Sequence, residues 1–112
     1  VNHTDLLNTY LPAFDASVRQ GGVKGIMCSY NAINGVPACG HPMIRTYLRG
    51  QLGFDGWVVS DDGAIMWMGP SMHNYTTDDL HSTALGIQAG VDINDGPLVP
   101  TPFHSLTHSH AL

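Results

Sequence analysis

The chain has 112 residues, 43% hydrophobic and 12% charged, a balance that suits one buried core and excludes a disordered polyelectrolyte. Its 9 acidic and 4 basic residues give a net charge of -5, without the basic footprint that a nucleic-acid backbone requires. No apolar run approaches the roughly 18 residues of a membrane span, so neither nucleic acid nor a bilayer is an expected partner.

The sequence opens at Val1 with polar Asn2-His3-Thr4-Asp5, a start that reads as a cut from a longer chain. Leu7, Tyr10, Leu11, Phe14 and Val18 then recur at helical spacing until Gly21-Gly22 stops the pattern. Pro12 removes an amide donor inside that stretch, which predicts a helix that begins near Pro12 or bends there. Lys24 to Tyr30 is a short apolar run bounded by turn residues, the pattern of a strand covered on both faces. A loop is expected from Asn31 to His41, with Asn34-Gly35 and Pro37 as turn formers.

Pro42 opens a second predicted helix in which Ile44, Leu48 and Leu52 are spaced by four, and Gly53 closes it. Gly56 to Ser60 reads as a second strand that runs into Asp61-Asp62-Gly63. Thr76-Thr77-Asp78-Asp79 resembles a capping box ahead of a third helix through Leu80, Ala84 and Ile87, ended by Gly90. Val91-Asp92-Ile93 completes the pattern as a short third strand.

Alternation of helix and strand with short connections implies parallel strands joined by right-handed crossovers. A closed eight-stranded barrel needs about 250 residues, so the expected fold is α/β, a partial (β/α)8 TIM-like barrel of about three strand-helix units. Residues 1–96 form that segment, and 97–112 read as an irregular or non-native tail. His104, His108 and His110 in the tail have metal-like spacing, but no carboxylate or cysteine accompanies them, so no metal is expected.

Cys28 and Cys39 flank the predicted loop and could bridge in an oxidising compartment, or remain free and buried. Asn2-His3-Thr4 and Asn74-Tyr75-Thr76 are N-glycosylation sequons, a type that also arises by chance. Together these features lean towards a secreted protein.

Asp61 follows an apolar strand directly, at the sheet edge where α/β folds gather reacting groups. A plainer alternative is that Asp61 or Asp62 only binds turn amides ahead of Gly63. Strand alternation places Trp57, Val59 and Asp61 on one face and Val58 and Ser60 on the other, so only one aspartate continues the strand inward. An aspartyl-phosphate phosphatase would need two carboxylates one residue apart around magnesium, which adjacent Asp61-Asp62 does not supply.

The stretches KGIMCSYNAINGVPAC (24–39) and LRGQLGFDGWVVSDDGA (48–64) resemble the barrel domain of glycoside hydrolase family 3, the β-glucosidases and β-xylosidases. TYLPAF (9–14) and ALGIQAGVD (84–92) extend the resemblance over roughly residues 5 to 96. It implies an exo-acting retaining β-glycosidase that needs no cofactor and acts on an oligosaccharide or β-glycoside. Asp61 would be the catalytic nucleophile, with Tyr30 beside it and Met27 lining the sugar pocket. A Tyr30 hydroxyl donating to Asp61 would hold the carboxylate at its attack angle.

Asp62 stands where the family usually has a tryptophan on the leaving-group side, which leaves aglycone preference open. The family's lysine-histidine pair and sugar-binding arginine and aspartate lie upstream of the matching region, and its acid/base lies downstream. The remainder of a parent enzyme is therefore an expected partner, and this chain alone is expected to be inactive. The alternative within the family is a truncated, non-catalytic member that at most binds sugar.

Overall fold

The computed structural model describes residues 1–96, so the tail with its three histidines lies outside the described residues. The chain begins with a helical run in three registers: α1 (His3–Asp5), a π-helical stretch Leu6–Tyr10, and α2 (Leu11–Arg19). Pro12 lies in the first turn of α2 and leaves one donor out of the ladder there, and the helix continues in front of it through the wider π turns. Of the predicted apolar stripe, Leu11 is buried, whereas Leu7, Tyr10 and Phe14 are exposed.

Strand β1 (Gly25–Cys28) pairs in parallel with β4 (Trp57–Ser60), in the register Gly25–Trp57, Ile26–Val58, Met27–Val59 and Cys28–Ser60. A third parallel neighbour reaches β4 only as a single bridge between Val59 and Ile93, so the expected strand at 91–93 is reduced to one rung. Side-chain acceptance replaces part of the missing ladder: Asp92 Oδ2 takes the Val58 amide at 2.7 Å.

The 31–41 segment is more ordered than a loop. Strands β2 (Ala32–Ile33) and β3 (Val36–Pro37) form a two-residue-turn hairpin, and one 3-10 turn, Ala38–Gly40, follows. Asn34 and Gly35 sit at φ 50° and 86°, the two left-handed positions that such a turn demands and that asparagine and glycine tolerate. A disulfide between Cys28 and Cys39 ties the end of β1 to this turn, and both cysteines are buried.

Ile44–Gln51 forms the second helix, π-wound throughout, and it turns Ile44, Leu48 and neighbouring Leu52 into the core as their spacing predicts. Full burial of each such aliphatic side chain contributes about 1.5–3 kcal/mol. Arg49 on the same helix reaches Gly56 O at 3.0 Å, Gly90 O at 3.2 Å and Asp92 Oδ2 at 2.7 Å. One guanidinium thus anchors the entry to β4 and the residues after α3 (Asp79–Ala89) to this second helix.

Helix α3 starts two residues later than the capping-box reading from Thr76 placed it. Asp78 is the N-cap, and its carboxylate accepts the His81 amide at 2.8 Å; Gly90, at φ 106°, ends the helix in the left-handed conformation. Its buried face is not its most hydrophobic one. Leu80 and Ile87 are exposed, whereas Ser82, Thr83, Gly86 and Ala89 face inward. Close approach is the reason: a Cβ on Gly86 would lie 2.7 Å from Ile65 Cδ1, so small residues let the helix settle on the core.

That core joins Cys28 and Val58 of the sheet to Ile44, Leu48, Leu52, Phe54, Ile65, Met68 and Ala89. It covers one face of the β1–β4 pair only. On the other face Met27, Trp57 and Ile93 are exposed, and the indole of Trp57 lies over Gly25, so among the described residues β1 is not covered on both faces as predicted.

Candidate active site

Asp61 leaves β4 directly after Ser60, which is fully buried. Successive amides then reach opposite neighbours: Ser60 N–H donates to Ile93 O at 2.9 Å and Asp61 N–H to Cys28 O at 3.0 Å. The Ser60 hydroxyl faces Asn94 Oδ1 at 3.2 Å and accepts the Asp95 amide at 2.9 Å. Main-chain bonds on both sides thereby set where Asp61 begins its turn. By alternation and register, Met27, Val59 and Asp61 share the open face of the sheet.

The turn after Asp61 is tight. Asp61 Oδ1 accepts the Asp62 amide at 2.8 Å, Asp61 O accepts Ala64 N–H at 2.9 Å, and Gly63, at φ 72°, donates to Asp95 O at 2.8 Å. One Asp61 oxygen therefore does bind a turn amide, as the plainer reading of the sequence has it. The other has no such bond, and the side chain is half-buried beside a tyrosine hydroxyl.

Tyr30 is not on the strand that was expected to carry it: β1 stops at Cys28, and Tyr30 lies two residues further, at the same sheet edge as Asp61. Its hydroxyl donates to the carbonyl of Asp62 at 2.7 Å rather than to a carboxylate. Partial burial raises the Tyr30 pKa above its ordinary 10.0, followed by the charge of the Asp61 carboxylate, which also stands within reach of the same proton. The phenol therefore remains a neutral donor.

Two residues that the sequence reading did not single out complete the edge. Trp67, on the 3-10 turn Met66–Met68, packs its ring against Tyr30 at 4.3 Å between centroids, tilted by 35°. His73 places Nε2 2.6 Å from Tyr30 O and donates its backbone N–H to Trp67 O at 3.0 Å. Neither lies on a periodic element, and 43 residues separate His73 from Tyr30, so no spacing signal marks them. No trio of histidine, cysteine or carboxylate side chains among the described residues is grouped to hold a metal ion, and no helix among them is long and apolar enough to cross a membrane.

The chain is thus an α/β segment with a carboxylate at the end of a parallel strand, flanked by a tyrosine at the same edge. The family model of the glycosyl hydrolase family 3 N-terminal domain matches residues 1–105, and the chain belongs to that family. A probable exo-1,4-beta-xylosidase of Aspergillus clavatus is 42% identical over 106 residues, which cover 89% of this chain and 13% of that protein. A probable beta-D-xylosidase of Arabidopsis thaliana is 40% identical over 96 residues, covering 86% of this chain and 12% of that protein. The chain thus spans about an eighth of the length of these relatives.

Solved structures agree in shape. A family 3 exo-beta-xylosidase in complex with a xylobiose aziridine probe superposes with a TM-score of 0.85 at 31% identity, over 100% of this chain and 15% of that one. A beta-glucosidase from Listeria innocua gives 0.85 at 28% identity with the same coverage.

Proposed function

We propose that this chain is the nucleophile-bearing part of a (β/α)8 barrel in a secreted, retaining, exo-acting β-glycosidase, with Asp61 as nucleophile and Tyr30 and Met27 in the sugar pocket. The observation that carries the reading is the placement of Asp61: it emerges from a main-chain-anchored strand onto the open face of the sheet, next to a phenol that cannot compete with it for charge. The open face of β1 and β4 corresponds to a barrel interior, and the Cys28–Cys39 bridge suits an oxidising compartment.

An Asp61 oxygen attacks the anomeric carbon while the glycosidic C–O bond breaks. The departing oxygen takes a proton from an acid supplied elsewhere in the whole protein, roughly 5 Å from the nucleophile. Water then cleaves the glycosyl ester with inversion at the same carbon, so the two steps retain configuration. Among possible sugars, terminal β-xylosides are favoured, because the relatives from Aspergillus clavatus and Arabidopsis thaliana are probable xylosidases. The remainder of the barrel would provide the other sugar contacts.

The test is made in the full-length protein that contains this chain, with aryl β-xyloside and β-glucoside substrates. Asp61→Ala should lower turnover by roughly a thousandfold or more, whereas Asp62→Ala should cost about tenfold or alter aglycone choice. Azide should rescue Asp61→Ala and yield a glycosyl azide of inverted configuration. Near-normal hydrolysis by Asp61→Ala, or collapse with Asp62→Ala instead, would move the nucleophile elsewhere.

A further inference from the structure

We infer that His73 is a positioning residue for the reaction, acting through Tyr30. This rests on Asp61 being the nucleophile, as proposed above, and adds a residue that touches no reacting atom.

The contacts run outward from Asp61. The Tyr30 hydroxyl fixes the carbonyl of Asp62, and the Asp62 amide in turn binds Asp61 Oδ1. Where the phenol reaches depends on the Tyr30 backbone, yet β1 ends at Cys28 and no ladder holds Tyr30. His73 supplies that hold by an Nε2 contact of 2.6 Å to Tyr30 O. A carbonyl only accepts, so Nε2 carries the proton in this contact.

His73 is itself secured through its amide to Trp67 O, and the Trp67 ring packs on Tyr30. Tyr30, Trp67 and His73 therefore close a ring of contacts, and the turn at Asp61–Gly63 is joined to it by the Tyr30 hydroxyl and by the Trp67 amide, which donates to Gly63 O at 3.1 Å. The imidazole is half-buried, so water competes weakly for its proton. Loss of this contact frees the Tyr30 backbone and, through it, the orientation of the carboxylate.

The experiment is a double-mutant cycle in the full-length protein, read by pre-steady-state glycosylation of an aryl glycoside and by melting temperature. His73→Leu should lower the glycosylation rate about tenfold while KM moves much less, and the loss should vanish in a Tyr30→Ala background, where nothing remains to position. His73→Gln, long enough to donate to the same carbonyl, should restore most of the rate, and His73→Asn, one methylene shorter, should not. An unchanged rate in folded His73→Leu, an equal loss in the Tyr30→Ala background, or equal rates for the Gln and Asn variants would overturn the assignment. If His73→Leu does not fold, the Gln and Asn pair decides alone. Failure of the nucleophile reading is recognised separately, since Asp61→Ala would then stay active whatever His73 does.

Discussion

The Tyr30 hydroxyl donates to the backbone carbonyl of Asp62, one residue beyond Asp61, at 2.7 Å. A side chain from the β1 edge thus grips the main chain of the turn that follows β4, and the grip lasts only while the phenol keeps its proton. Tyr30→Phe should reduce glycosylation by about tenfold in the full-length protein, with little change in KM.

The same hydroxyl makes a statement about alkaline stability. Its folded pKa is raised, by partial burial first and by Asp61 second, above the ordinary 10.0. The folded state therefore holds the proton more tightly than the unfolded chain, so the stabilisation is fully present below about pH 10 and is lost as pH rises through the folded pKa. Urea midpoints measured through that range should fall less steeply for Tyr30→Phe than for the parent; parallel curves would exclude the linkage.

Asp78 acts at the other end of the pH scale. The His81 amide, then the Thr77 hydroxyl, hold its pKa below the usual 3.8. Its stabilising effect is present above that value and is lost as pH falls through the folded pKa. Asp78→Asn keeps an N-cap acceptor and should flatten the acid side of the stability profile, whereas Asp78→Ala should lower the melting temperature by a few degrees at all pH values.

Reduction or replacement of the Cys28–Cys39 bridge, which spans 11 residues, should cost about 2–4 kcal/mol. Hydrogen exchange offers the local readout: amides of β1 and the 32–37 hairpin should exchange faster in the Cys28→Ala, Cys39→Ala double variant, while those of α3 change little. Uniform acceleration across the chain would point to global rather than local loosening.

The 112-residue chain expressed alone should bind a hydrophobic dye and self-associate, because Met27, Trp57 and Ile93 leave an apolar sheet face open. Sedimentation as a monomer together with a sharp, cooperative thermal transition would contradict this expectation.

Much of the fold was readable from the residues themselves. Apolar runs of strand length bounded by glycines marked β1 and β4, and the spacing of Ile44, Leu48 and Leu52 marked the helix between them and its inward face. In α3 the spacing marks the helix but not its inward side, since hydrophobicity favours Leu80 and Ile87 while steric room favours Ser82, Gly86 and Ala89. The position of Asp61 at a strand end was legible from alternation. The ring of Tyr30, Trp67 and His73 was not, because it is built from turns whose contacts span tens of residues and obey no period.

The anchoring of Asp61 through the amides of Ser60 and Asp61 uses carbonyls alone, from Cys28 on one side and Ile93 on the other. Every amino acid offers the same carbonyl, so the backbone position at Asp61 is set independently of the side chains around it. The side chain at position 62 can therefore change without moving the backbone from which the Asp61 carboxylate extends, while the Tyr30 side chain, through the Asp62 carbonyl, bears on how that carboxylate is turned. A scaffold wired in this way separates where a side chain starts from what surrounds it.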